Sequence, residues 1–141
     1  MRVFFDNCTS PVLANALNAL VEPEGISARH IRFMPEYGFQ HDTPDEAWIV
    51  KLGTDYPADW IVITGDQRIR KNIAERTAWI RAGLKGFVLA PAFDKMPMNQ
   101  RASRLLWRWP EMAKVISLTA PGSMFELAVN RATGFRPLAV G

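Results

Sequence analysis

Residues 60–67, Trp60-Ile61-Val62-Ile63-Thr64-Gly65-Asp66-Gln67, decide the fold. A continuous apolar run that halts at Thr-Gly-Asp reads as a central parallel strand buried on both faces, because an antiparallel strand with one wet face would alternate instead. Arg2-Val3-Phe4-Phe5 is a shorter β-prone run that halts at Asp6, and Gly86-Phe87-Val88-Leu89-Ala90 is a third, ended by Pro91. Between them lie helical patterns. Ser10 and Pro11 supply a cap and a first-turn proline, and Leu13, Leu17 and Leu20 recur to about Val21. Thr43, Pro44 and Glu46 read as N-cap, first helical position and capping box, with Trp48, Ile49 and Leu52 turned to the core. Residues 70–82 carry Ile69, Ile73, Thr77 and Ile80 on one side and stop at Gly83. His30 to Met34 is expected to be a strand, 98–109 a helix, and Lys114 to Leu118 a last core strand. Met124 to Val129 reads equally as strand or short helix. Alternating strands and helices of these lengths imply an α/β fold, with a mostly parallel sheet covered on both faces.

Composition fits one such domain over residues 1–141. The chain is 48% apolar and 22% charged, ordinary values for a globular protein. It shows no signal-peptide pattern and no apolar run approaching a membrane helix, so a cytoplasmic location without membrane contact is expected. The single cysteine, Cys8, cannot form an internal disulfide or a thiolate metal site by itself, and is expected to be a small buried thiol. The net charge of +3 conceals a division. Residues 1–67 hold four basic and ten acidic side chains, and residues 68–108 hold ten basic and two acidic ones. Such a field suits a cation on one side and a polyanion such as nucleic acid on the other, although solvated helix faces also produce charge runs.

Ligands of open α/β sheets bind beyond the carboxyl ends of the strands. Asp6 and Asp66 each follow a strand, and Asp45 opens a helix that starts at the same edge. Three converging carboxylates repel one another unless a divalent cation neutralises them, and hard oxygen donors suit Mg²⁺ or Mn²⁺ rather than structural zinc. Each acid also has a local explanation: a turn at Asp6-Asn7, a helix cap at Asp66, a first-turn acid at Asp45. The capping box accounts for Glu46 alone, which otherwise serves as a ligand or water-positioning base. Asn7 and Thr64 are placed to orient the carboxylates and touch substrate, and Arg68, Arg70 and Lys71 follow Asp66 where they can hold a phosphate backbone. Trp79, Trp107 and Trp109 offer base-stacking surfaces only where exposed. His30 reads as a satisfied edge or core residue and His41 as a surface one.

Phe5-Asp6-Asn7-Cys8-Thr9-Ser10-Pro11, Asp45-Glu46-Ala47-Trp48-Ile49-Val50 and Val62-Ile63-Thr64-Gly65-Asp66-Gln67-Arg68-Ile69 together resemble the opening, the acidic helix start and the Thr-x-Asp motif of PIN-like proteins, and are closest to toxins of VapC type. The resemblance covers most of residues 2–90. It implies a three-layer α/β/α sandwich and cleavage of RNA by a metal-activated water. The implied site holds Mg²⁺ or Mn²⁺ on Asp6, Asp45 and Asp66, with Glu46 as a further catalytic acid. It also implies a toxin–antitoxin setting with a cognate antitoxin protein as partner, and leaves a homodimer open. A further family acid between the first and the central one has no match in Glu22, Glu24 or Glu36, so the implied site draws on Glu46 or Glu75 for help. Two other readings compete: a catalytically inactive PIN-like scaffold, and a receiver-like signalling domain. The second lacks here the adjacent acids near the first strand and a well-placed lysine after Ala90.

Overall fold

The computed structural model describes residues 1–55, 59–130 and 134–140. Its described strands join one six-stranded sheet in the order β2-β1-β3-β4-β5-β6, built from β1 (Arg2–Phe5), β2 (Ser27–His30), β3 (Trp60–Thr64), β4 (Lys85–Leu89), β5 (Met124–Leu127) and β6 (Phe135–Pro137). Every pairing is parallel except β5 with β6. Among the described residues four α-helices cover it: α1 (Pro11–Val21), α2 (Asp45–Gly53), α3 (Ile73–Ala82) and α4 (Met98–Leu118).

The apolar strands are continuous because alternate residues serve two cores. Val3, Phe5, Ile61, Ile63, Phe87 and Leu89 pack with α1 and α4 on one face. Phe4, Trp60, Val62 and Val88 pack on the other with Trp48, Ile49 and Leu52 of α2 and with Ala78 and Trp79 of α3. The result is a three-layer α/β/α sandwich. Gly53 permits α2 to lie close on α3, since a Cβ there would sit 2.4 Å from that of Ala82. The chain leaves β1 for β2 on one side and later returns to β3 on the other, which opens a crevice at the carboxyl ends of β1 and β3.

Several elements depart from expectation for identifiable reasons. The second strand is Ser27–His30, earlier than 30–34, because the His30 ring accepts the Arg32 amide at 3.2 Å and turns the chain into a 3₁₀ segment over Ile31–Phe33. Thr43 does not cap α2: its hydroxyl accepts the Gln40 amide at 2.7 Å, Pro44 takes the N-cap position, and Glu46 is exposed outside any capping box. Helix α3 starts at Ile73 rather than 70, capped by Asn72, whose side chain accepts the Glu75 amide at 3.1 Å. Of the residues expected on one side of it, only Ile69 is buried; Ile73 and Ile80 are exposed, and Ala78 and Trp79 pack into the core against the sheet.

The expected strand at 114–118 is the last turns of α4. Leu105, Trp109, Met112 and Ile116 keep helical spacing through the exposed Pro110, and their common burial outweighs the backbone hydrogen bond that proline cannot donate. Cys8, expected to be buried, is exposed. Among the described residues no helix is long and apolar enough to cross a membrane.

Candidate metal centre

Four of the acids lie at the carboxyl edge of the sheet because of where their elements begin and end. Asp6 follows β1, Asp66 follows β3, and Asp45 and Glu75 occupy the first turns of α2 and α3. Asp45, Asp66 and Glu75, each half-buried, present carboxylate oxygens that all lie within 4.8 Å of one another. Asp6 is not one of these three. It is fully buried, and its carboxylate accepts the Thr64 hydroxyl and the amides of Cys8 at 3.2 Å and Gly65 at 3.4 Å. Thr64 in turn accepts the Asp66 amide at 3.0 Å, so one hydroxyl fixes the geometry of both strand-end acids. Gly65 is required between them: a Cβ at this position would stand 2.4 Å from the carbonyl oxygen of Cys8.

Charge in this crevice is poorly compensated. Burial pushes Asp6 up to about 7, with the charge of Asp45 adding to the rise against the hydrogen bond from Thr64. Burial and a hydrogen bond shared with Asp66 raise Asp45 to about 6, although the Trp48 indole donates to it at 2.9 Å. Burial, then the charges of Asp45, Asp66 and Glu46, push Glu75 up to about 7. The Cys8 thiol is held up at about 12 by partial burial and the neighbouring carboxylates, so it is no nucleophile despite its exposure. Desolvation and mutual repulsion thus both favour the protonated acids here, and an all-oxygen donor set of this spacing fits a divalent cation.

Asp66 does not cap α3, since Asn72 does; its side chain instead accepts the Arg68 amide at 2.9 Å and organises the turn after β3. Arg68 and Lys71 line a cleft of about 360 Å³ with Asp66, Asn72 and Glu75, while Arg70 lies outside it. Arg68 is 90% exposed and reaches Asp66 only at 3.9 Å. Asn7 donates to the His41 carbonyl at 2.7 Å and so ties the β1 turn to the segment ahead of α2. Burial holds the pKa of His30 down, and its Nε2 lies 2.8 Å from the Thr9 carbonyl, which makes it a structural residue.

Sequence reasoning gave Glu75 only an auxiliary part and missed Asn72. The signal was present in Asn72-Ile73-Ala74-Glu75, a cap residue with an acid three positions on, which starts a helix there and sets Glu75 in its first turn. The charge halves also resolve unevenly. Asp55 and Asp59 pair with Arg2 at the opposite edge of the sheet. Arg108 is buried, donating to the carbonyls of Ala128 and Asn130, and Arg101 holds the carbonyls of Asp94 and Met96.

Fold and site together define an α/β/α protein with a carboxylate crevice able to bind metal at the switch point of its sheet. Residues 1–91 match the family model of the PIN like domain, and the chain belongs to that family, part of a nuclease superfamily. No curated protein and no solved structure matches the chain.

Proposed function

We propose that the protein is a metal-dependent endoribonuclease that hydrolyses RNA phosphodiesters. The observation that carries this reading is the meeting of Asp45, Asp66 and Glu75 within 4.8 Å at the edge where a PIN-like domain keeps its acids. These residues would hold Mg²⁺ or Mn²⁺, with the buried Asp6, anchored by the Thr64 hydroxyl, as a fourth carboxylate at the same sheet edge. A divalent cation bound there supplies positive charge to the phosphodiester oxygens and acidifies water. Glu46, exposed in the first turn of α2, would position the attacking water and take its proton as the water oxygen bonds to phosphorus and the phosphorus–oxygen bond to the ribose breaks, the released ribose oxygen taking a proton from solvent. Arg68 and Lys71 take the backbone phosphates beside the cleft, with Arg70 adding to the field and Asn7 at the substrate's approach.

The likeness to VapC-type toxins supports a toxin–antitoxin setting, with an antitoxin protein as the neutralising partner. Single-turnover cleavage of RNA with Mg²⁺ or Mn²⁺ tests the reading. Cleavage should be abolished by chelation and reduced on the order of 10²-fold in Asp66→Asn. Wild-type protein that cleaves no RNA with either ion sinks the nuclease reading. Expression that arrests growth only when Asp66 is intact tests the toxin assignment.

A further inference from the structure

Helix α4 carries two stripes. One, Leu105, Trp109, Met112 and Ile116, is buried against the sheet. The other, Gln100, Ser103, Arg104 and Trp107, follows helical spacing on the outer face and lines a depression of about 490 Å³. Trp107 is 41% exposed, whereas Trp48, Trp60, Trp79 and Trp109 are all at 4% or less. The guanidinium carbon of Arg104 lies 5.2 Å from the centre of the Trp107 ring. Arg101 and Arg108 on the same helix are occupied by backbone carbonyls, so Arg104 is the helix arginine that faces this depression.

The surroundings select the kind of ligand. Between Asp94 and Glu111 the chain carries only basic charges, and since the Arg101 and Arg108 guanidiniums are held by backbone carbonyls, Arg104 is the arginine that offers positive charge on this face, which favours an anion. An indole face, a planar cation and a carboxamide on one surface match a nucleobase and its phosphate: the ring stacks, the guanidinium pairs, and the amide reads a base edge. The stripe also begins at the edge that bears the acids. Strand β4 ends there at Leu89, whose carbonyl accepts the side chain of Gln67 at 3.4 Å, and the chain then enters α4 at Met98. Gln100 and Trp107 lie about 3 and 14 Å farther along the helix axis. The whole stripe lies beyond the residues that match the family.

We propose that this stripe is a subsite for single-stranded nucleic acid, one base stacking on Trp107 while Arg104 holds the adjoining phosphate. The inference rests on the nuclease reading only for the direction in which the strand runs. Binding of a fluorescein-labelled oligouridylate, measured by anisotropy in EDTA, tests it without catalysis. Trp107→Ala should weaken binding about tenfold and Trp107→Phe should keep most of the affinity. Arg104→Gln should reduce the slope of log K against log salt by about 0.7. Unchanged binding by Trp107→Ala, or no binding by the wild type in EDTA, overturns the subsite. Wild-type protein that binds through Trp107 yet never cleaves with Mg²⁺ or Mn²⁺ upholds the subsite and overturns the nuclease reading. Cleavage by a protein whose Trp107→Ala variant binds normally does the reverse.

Discussion

Asp66 stands two residues past β3 with its amide on Thr64 and its carboxylate on the Arg68 amide, so the side chain has a local task as well as a place among the acids. Asparagine preserves the acceptor for Arg68 and removes the charge. Asp66→Asn should therefore keep its fold, with a metal-free melting temperature equal to or above wild type, and lose affinity for Mn²⁺; calorimetry with and without the ion checks both. The raised acids also predict an unusual pH dependence. Asp6 and Glu75 sit at about 7 and Asp45 at about 6, above their ordinary values near 4. Folded protein thus binds more protons than unfolded chain between these limits, and the stabilising contribution, complete below about pH 4, is lost as pH rises toward about 7. Metal-free melting temperature should fall across that window, and saturating Mn²⁺ should reverse the trend. A metal-free profile that rises steadily from pH 4 to 7 would contradict the assigned repulsion. These residue-scale properties were partly legible: Asp6, Asp45 and Asp66 follow from strand ends and a helix start, but the exclusion of Asp6 from the closest trio depends on its full burial, which no local pattern encodes.

The segment from Gly65 to Glu75 joins β3 to α3 and supplies most of the crevice. Asn72 fixes where α3 begins and hence where Glu75 points; Asn72→Ala should cost about 1 kcal/mol in denaturant unfolding and weaken metal binding through Glu75. Gly65→Ala drives a methyl into the Cys8 carbonyl 2.4 Å away, so the turn after β1 must move. It should lose about 1–3 kcal/mol and most of the cleavage activity, with stability and rate measured on one preparation. Neutralising Arg68 and Lys71 together should flatten the salt dependence of RNA binding by about 0.7 for each phosphate they neutralise, while an unaltered slope would assign them to a solvated face. Element types read well where caps and apolar runs agree, as in β1, α1, β3 and β4. They misled where a side chain made a different bond than its pattern suggests, as Thr43 did with Gln40, or where two periodicities overlap, as at 114–118.

At the scale of the whole molecule the parallel sheet brings together acids from positions 6, 45, 66 and 75, and a ligand that holds them adds directly to folding stability. Free Mn²⁺ at a hundredfold excess over its dissociation constant should stabilise the fold by about 2.7 kcal/mol, read as a chelator-reversible rise in melting temperature. An ion-independent melting temperature would leave the carboxylate crevice without its proposed occupant. The sequence by itself determined the α/β layers, since uninterrupted apolar strands between capped amphipathic segments have few other ways to bury both faces. It also set acids at the ends of strands, because residues that follow β1 and β3 share an edge in any parallel arrangement. Only the tertiary structure decided that Glu75 joins Asp45 and Asp66, that Cys8 and Trp107 face outward, and that Arg108 is buried. Those outcomes depend on how far each helix is rotated against the sheet, and that rotation is set by long-range packing such as Trp79 against Gly86, where a Cβ would meet the indole at 2.7 Å, rather than by any residue's neighbours in the chain.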